Sequence, residues 1–169
     1  MREYKQLYRH KPPESYGDCF RTAIGCLLDM PPEKVPHFYD GIDKNDDATE
    51  ANRAIKYWLW QQDYVMVTFA YECSLSEVLN FMQVSNPGIF YLITGTSVTG
   101  NNHVCVGLGD DIVWDPAPEN GKLVGPNSNG QIIIEVLVPA SQSSGWSSID
   151  PASNETASDS SSKSTQEPL

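Results

Sequence analysis

Residues 17–32 of the chain read GDCFRTAIGCLLDMPP, and this stretch decides the first element of the fold. Its apolar residues recur at the spacing of one helical face: Phe20, Ala23, Ile24, Leu27 and Leu28. The periodicity predicts a helix over residues 18–28. Asp18 is expected to cap this helix, and the pair Pro31 and Pro32 is expected to end it.

Apolar periodicity predicts two further helices and then a series of strands. One helix is expected from about residue 47 or 49 to residue 62, and a capping box of Ser74 and Glu77 opens a shorter one that ends near residue 84. Alternating or continuous apolar runs predict strands over five ranges: 64–71, 89–94, 103–108, 112–115 and 131–138. Because helices come first and strands later, the expected fold class is α+β, with N-terminal helices packed on an antiparallel sheet.

The chain has 169 residues, a length that suits one domain. Its composition changes after Pro139, where a Ser-rich segment with few large apolar residues begins. Such a segment buries too little apolar surface to offset the entropy lost on ordering. We therefore expect one domain over residues 1–139 and a disordered tail over residues 140–169. A tail that docks on a partner through Trp146 is the alternative.

The formal net charge of −11 argues against a nucleic-acid partner, because phosphate binding needs clustered Lys and Arg. The first residues lack the apolar core of a signal peptide, and no apolar run approaches the length of a membrane span. A cytoplasmic protein without a membrane partner is therefore expected. In that compartment the four cysteines are thiols, and without a C-x-x-C pair neither a metal nor another cofactor is predicted.

Cys19 lies in the first turn of the predicted first helix, directly after Gly17 and Asp18. The unpaired N–H groups and the dipole at a helix start favour an anion, so a thiolate is stabilised there and the same N–H groups can serve an oxyanion. A nucleophilic cysteine also needs an imidazole within hydrogen-bond reach. The alternative is a small packing residue at the edge of the apolar stripe.

His103 is the best placed of the three histidines to supply that imidazole, because it opens the predicted strand HVCVGL. Asp115 follows twelve residues later, at the end of DDIVWDP. A three-residue hairpin loop pairs position 103 with position 115 and lets the carboxylate orient the ring. A two-residue turn of Gly109 and Asp110 pairs 104 with 115 and sends the two side chains to opposite faces. An ordinary strand residue and an Asp-Pro turn are the alternatives.

The stretches GDCFRTAIGCLLDMPPEKVPHF (17–38) and NHVCVGLGDDIVWDP (102–116) resemble the papain-like cysteine peptidase superfamily. They look most like its bacteriocin-leader-peptidase-like branch, which includes small phage and bacterial proteins. The resemblance implies a papain-like fold over roughly the first 140 residues and a peptide or protein substrate. It further implies that Cys19 is the nucleophile, His103 the general base and acid, and Asp115 the orienting residue.

The superfamily usually has an oxyanion-donating glutamine about six residues before the nucleophile, a position that Pro13 occupies here. Gln6 and Ser15 are the candidates for that role, and Gln6 can act only if the intervening segment folds back. The function expected is that of a cysteine hydrolase, peptidase or amidase. A catalytically silent binding or inhibitory protein, an acyltransferase, and a metal site formed by Cys19, His103 and Cys105 are the alternatives.

Overall fold

The computed structural model describes residues 1–43, 46–119 and 121–140. Within these ranges the chain forms three α-helices and six β-strands, so the α+β class is confirmed. The elements are α1 (Cys19–Leu27), α2 (Thr49–Gln61), β1 (Tyr64–Tyr71), α3 (Leu75–Ser85), β2 (Phe90–Ser97), β3 (Asn102–Leu108), β4 (Asp111–Trp114), β5 (Leu123–Gly125) and β6 (Ile132–Pro139). The predicted tail from residue 141 onward, with Trp146, lies outside the described residues.

The described strands form one antiparallel sheet in the order β1-β6-β2-β3-β4, with β5 paired to the end of β2. β6 comes last in the chain and lies between β1 and β2, so the centre of the sheet joins distant parts of the sequence. The sequence predicted the antiparallel arrangement. It did not predict β5 or the short 3₁₀ turn at Pro32–Lys34.

A core layer covers each face of the sheet. Under α1 and α2 the buried residues include Ile24, Ile55, Leu59, Leu92 and Val106. Under α3 they include Val78, Met82, Tyr91, Ile93 and Ile134. Full burial of one large aliphatic side chain contributes roughly 1.5–3 kcal/mol, so these two layers supply most of the force that holds helices and sheet together.

The helices are short and amphipathic. α2 has 13 residues, and α3 begins at the predicted capping box. There the Ser74 hydroxyl accepts the Glu77 N–H at 3.3 Å, and the Glu77 carboxylate accepts the Ser74 N–H at 2.8 Å, which satisfies two N–H groups at the helix start. Over the part of the chain that the structure describes, no helix is long and apolar enough to cross a membrane.

The turn between β3 and β4 differs from the prediction. A three-residue loop was expected, whereas Gly109 and Asp110 form a two-residue turn. Gly109 has a φ of 58°, a conformation that glycine adopts without the steric cost of a side chain. By itself this turn would place the side chains of residues 103 and 115 on opposite faces of the sheet.

A β-bulge in β4 reverses that consequence. The register shifts by one residue at Val113, which is an extra residue on this strand. The shift allows Ile112 to pack in the layer under α3 while Trp114 packs in the layer under α1. Beyond the bulge the facing of the chain is inverted, so Asp115 returns to the face that carries His103.

Asp18 does not cap α1, contrary to the expectation from the sequence. Its side chain makes no capping hydrogen bond. The carboxylate instead accepts the N–H groups of Leu7 at 3.2 Å and Tyr8 at 2.9 Å and the Arg21 Nε–H at 3.0 Å. Asp18 is only 1% exposed, so these three donors, and not water or a helix cap, satisfy its carboxylate. They hold residues 2–8, the N-terminal arm, against the start of α1.

Candidate active site

The start of α1 places Cys19 at the wall of a cavity. α1 begins at Cys19, and the adjacent Phe20 is buried in the core layer that α1 shares with β3. Cys19 itself is half-buried and lines a cavity of about 580 Å³, a size typical of ligand sites. The first N–H groups of a helix have no partner within it, so the sulfur lies where negative charge is favoured.

The imidazole of His103 joins Cys19 to Asp115. Its Nε2–H donates to the Asp115 Oδ1 at 2.7 Å, and Cys19 and Cys105 lie near enough to the ring to raise its pKa. Because Nε2 is occupied by the carboxylate, Nδ1 is the nitrogen left for the thiols. His103 is 6% exposed, so the contact between ring and carboxylate is shielded from water.

The loop after β4 holds Asp115 in place. Its Oδ1 also accepts the Ala117 N–H at 2.8 Å, and its backbone carbonyl accepts the Lys5 ammonium at 2.8 Å. Gly121 lies so close that a Cβ atom there would stand 2.7 Å from both carboxylate oxygens. The absence of a side chain at Gly121 therefore lets the chain pack against the carboxylate.

The charges of this group favour a protonated ring beside the Asp115 carboxylate. Burial lowers the pKa of His103, but the hydrogen bonds to Asp115, Cys105 and Cys19 outweigh burial and raise it overall. Burial raises the pKa of Asp115, while the hydrogen bonds from His103 and from the Ala117 N–H lower it below its usual value. An imidazolium held between carboxylate and sulfur is the arrangement that activates a cysteine nucleophile.

The N-terminal arm connects the two halves of the site. On one side Asp18 binds its backbone, and on the other the Gln6 N–H donates to the Pro116 carbonyl at 2.9 Å. Gln6 thereby lines the cavity that Cys19 and His103 also line, and its side-chain Nε2 donates to the Tyr8 carbonyl at 2.9 Å.

The two oxyanion candidates, Gln6 and Ser15, differ in their position relative to the cavity. Residues 11–15 fold back on themselves, with the Lys11 N–H donating to the Ser15 carbonyl at 2.9 Å. The fold-back brings Gln6 to the cavity. The Ser15 hydroxyl instead donates to the Arg9 carbonyl at 2.6 Å, and Ser15 does not line the cavity among the residues described.

The other two histidines have different surroundings. His37 donates from Nε2 to the Gly17 carbonyl at 3.2 Å and stacks on Tyr8, which supports the turn before Cys19. His10 lies 3.5 Å from the Asp43 carboxylate on the cavity wall. Of the three histidines, His103 is thus the one whose pKa is raised by Cys19.

The remaining cysteines are packing residues in character. Cys26 and Cys105 are buried, and burial raises the pKa of each thiol. Desolvation also raises the pKa of Cys73, with the charge of Glu77 adding to it. All four thiols are free, as predicted, and a raised pKa lowers the reactive thiolate fraction of these three.

The metal alternative involves a different set of residues from the one expected. His103, Cys105 and Asp115 each place one possible ligand atom within 4.8 Å of the others, whereas Cys19 is not in this group. Two ligands of one tetrahedral zinc ion lie about 3.3 Å apart, given bonds of about 2.0–2.1 Å. The 2.7 Å from Nε2 to Oδ1 is a hydrogen-bond distance and fits a paired ring and carboxylate better.

One residue of the cavity was missed by the sequence analysis. Glu135 on β6 is 8% exposed and lies directly opposite Leu92 of β2 and Thr68 of β1. Its Oε2 has no hydrogen-bond partner in the part of the chain that the structure describes. Burial raises the pKa of Glu135 to about 7. The signal in the sequence was a single acidic residue inside the apolar run IIIEVLV.

We expect Glu135→Gln to remove a stability loss that develops as the pH rises. The pKa is 4.5 for an unperturbed Glu and about 7 for Glu135 in the fold. The wild type therefore has its highest free energy of unfolding below pH 4.5 and loses stability as the pH rises, until the pH exceeds about 7. Between about pH 4 and pH 8 the variant should gain on the order of 3 kcal/mol over the wild type. Denaturant unfolding at both pH values measures this, and a constant difference would contradict it.

No protein-family model, curated protein or solved structure matches the chain. The findings define an α+β protein with an antiparallel sheet and a Cys-His-Asp cluster at the wall of a cavity. The account of its function accordingly depends on the geometry of these residues.

Proposed function

We propose that the chain is a cysteine hydrolase of the peptidase or amidase type, with a papain-like fold and a Cys19-His103-Asp115 triad. One observation carries the proposal: the His103 ring donates to Asp115 at 2.7 Å, and Cys19, which raises the pKa of that ring, lines the same cavity as His103. Nucleophile, base and orienting group in contact are the signature of an activated thiol.

The papain-like part of the proposal is supported by the position of each group in the fold. Cys19 begins a helix, His103 lies at the start of a strand, and Asp115 directly follows the neighbouring antiparallel strand. This is the chain order and context that the resemblance implies. The free thiols suit a reducing compartment, and a cytoplasmic location stays a prediction.

The proposed reaction proceeds in two steps. The Cys19 sulfur attacks the carbonyl carbon of the substrate, and the His103 imidazolium gives its proton to the leaving amine as the C–N bond breaks. Neutral His103 then takes a proton from water, whose oxygen attacks the thioester and releases the carboxylic acid and the Cys19 thiolate, so that the pair of thiolate and imidazolium is restored. Asp115 stabilises the imidazolium throughout, because its carboxylate holds the Nε2 proton.

The oxyanion formed in each step needs hydrogen-bond donors. The backbone N–H groups at the start of α1 are available for it, and the Gln6 amide lines the same cavity. The Gln6 amide donates to the Tyr8 carbonyl, so it must rotate to serve the oxyanion. This observation, together with Pro13 at the usual glutamine position, favours a catalytically silent papain-fold binding or inhibitory protein as the second candidate.

Mass mapping with iodoacetamide at neutral pH distinguishes the two candidates. We expect Cys19 to be alkylated before the other three thiols, because it alone among them lines the described cavity, while the pKa of each of the others is raised. Denatured protein, in which all four sites are open, gives the control rates. First labelling at any other thiol would contradict the assignment of Cys19 as nucleophile.

A further inference from the structure

Glu135 is a buried carboxylate that the proposed reaction does not use. It faces the core layer under α1 and α2, beside Leu92. Removing an ionised carboxylate from water without a partner is strongly unfavourable, so buried acidic groups are found paired or hydrogen-bonded. Yet its Oε2 is unpaired within the described residues, and the side chain lines the cavity of the candidate active site.

Tyr39 lines the same cavity as Glu135 and Cys19. Burial raises the pKa of Tyr39, and Glu135 and Cys19 raise it further. The Tyr39 hydroxyl donates its proton to the Asn52 Oδ1 at 2.9 Å. That proton is therefore not available to Glu135, and a group that enters the cavity beside Cys19 meets an unpaired carboxylate.

Two basic side chains of the cavity wall lie beside acidic partners, and Lys11 lines the cavity as well. Arg9 pairs with Glu119 at 3.3 Å, and the His10 ring lies 3.5 Å from Asp43. No ion pair of Glu135 occurs in the described part of the chain. A cationic group of a ligand that enters the cavity can therefore become the ion-pair partner of Glu135.

We propose that Glu135 forms the base of a specificity subsite that takes the cationic side chain of a Lys or Arg residue of the peptide substrate. This inference rests on the proposed function, which supplies the peptide substrate, and on the fact that Glu135 and Cys19 line the same cavity. The cavity of about 580 Å³ has room for such a side chain beside the reacting amide. A neutral Glu135 that donates to a substrate carbonyl is the competing arrangement, and it gives no preference for a cation.

Peptide binding to the full chain with Cys19→Ala tests the subsite without any need for turnover. The probes are acetylated pentapeptide amides of glycine with one Arg, moved through the five positions, and the same set with citrulline, which has the shape of Arg without its charge. Titration followed by NMR gives each Kd. We expect at least one Arg peptide to bind about tenfold or more tightly than its citrulline counterpart, as a charged hydrogen bond of this kind allows.

Two further variants assign the preference to the buried carboxylate. Glu135→Gln keeps the shape of the side chain and should remove the preference for Arg. Glu119→Gln removes a carboxylate whose side chain is 71% exposed at the cavity rim, and the preference should survive it. Equal affinities for Arg and citrulline at every position, or loss of the preference in both variants alike, would overturn the subsite. Because iodoacetamide labelling of Cys19 in the unmodified chain is measured separately, failure of the subsite is distinguishable from failure of the proposed hydrolase.

Discussion

Replacement of Cys19 or of His103 by alanine is expected to abolish hydrolysis, and the double variant should be little worse than either single one. On any fluorogenic peptide that the wild-type chain cleaves, each single change should lower kcat/KM by about 10⁴-fold or more. The effects do not add, because the sulfur and the ring in contact act as one unit. Asp115→Asn should cost less than either of these changes, because an amide can still orient the ring.

Folding must be intact for this result to be informative. Cys105→Ala is the matched control, since it removes another thiol that lies within 4.8 Å of the same ring. It should retain most of the activity, and melting curves should show each variant folded. Substantial activity in His103→Ala, or two single effects that multiply in the double variant, would show that Cys19 and His103 do not form a catalytic unit.

Asp18→Ala is expected to destabilise the fold by about 3–5 kcal/mol, the cost typical of removing one partner from a buried ion pair. The change removes the carboxylate that pairs with the Arg21 guanidinium. Arg21 is 8% exposed, and the Val35 carbonyl at 3.3 Å would be its remaining acceptor among those that the structure describes. It also frees the backbone of Leu7 and Tyr8, so the N-terminal arm loses its attachment to α1. Denaturant unfolding measures the loss.

A second ion pair of the same spacing provides the control. Arg53 and Glu50 are also three residues apart, at 2.7 Å, but their side chains are 59% and 80% exposed. Because water replaces an exposed pair at little cost, Glu50→Ala should change the free energy of unfolding by less than about 1 kcal/mol. Equal losses of unfolding free energy in Asp18→Ala and Glu50→Ala would contradict the proposed role of Asp18 in holding the N-terminal arm against α1.

The elements set by local pattern were predictable from the sequence. α1 follows from an apolar stripe, β1 from an alternation, and α3 from the Ser74–Glu77 capping box, each of which depends on residues a few positions apart. The position of Cys19 at a helix start came with the first of these. Tertiary packing had only to agree with preferences that were already present locally.

The elements set by distant contacts were not predictable. β5 has three residues and exists because it pairs with the end of β2. The bulge at Val113 forms because Ile112 and Trp114 are buried on opposite faces of the sheet, which a count of alternating residues cannot show. The predicted register of the hairpin was wrong for this reason, although His103 and Asp115 still meet.

The site was predictable to the same extent. Cys19, His103 and Asp115 could be selected by residue type and by their places in predicted elements. Asp18 was interpreted as a cap because its partners in the N-terminal arm lie ten and eleven positions away. Glu135 was missed because its environment is created by strands that are far apart in the chain.

The rate of alkylation at Cys19, compared between the wild type and His103→Ala, tests the central claim most directly. It needs no substrate, and His10→Ala provides a control in which a different histidine of the cavity wall is removed. If His103 activates the sulfur, alkylation of Cys19 at neutral pH should slow by roughly an order of magnitude in His103→Ala and stay near the wild-type rate in His10→Ala. An unchanged rate in His103→Ala would contradict the account.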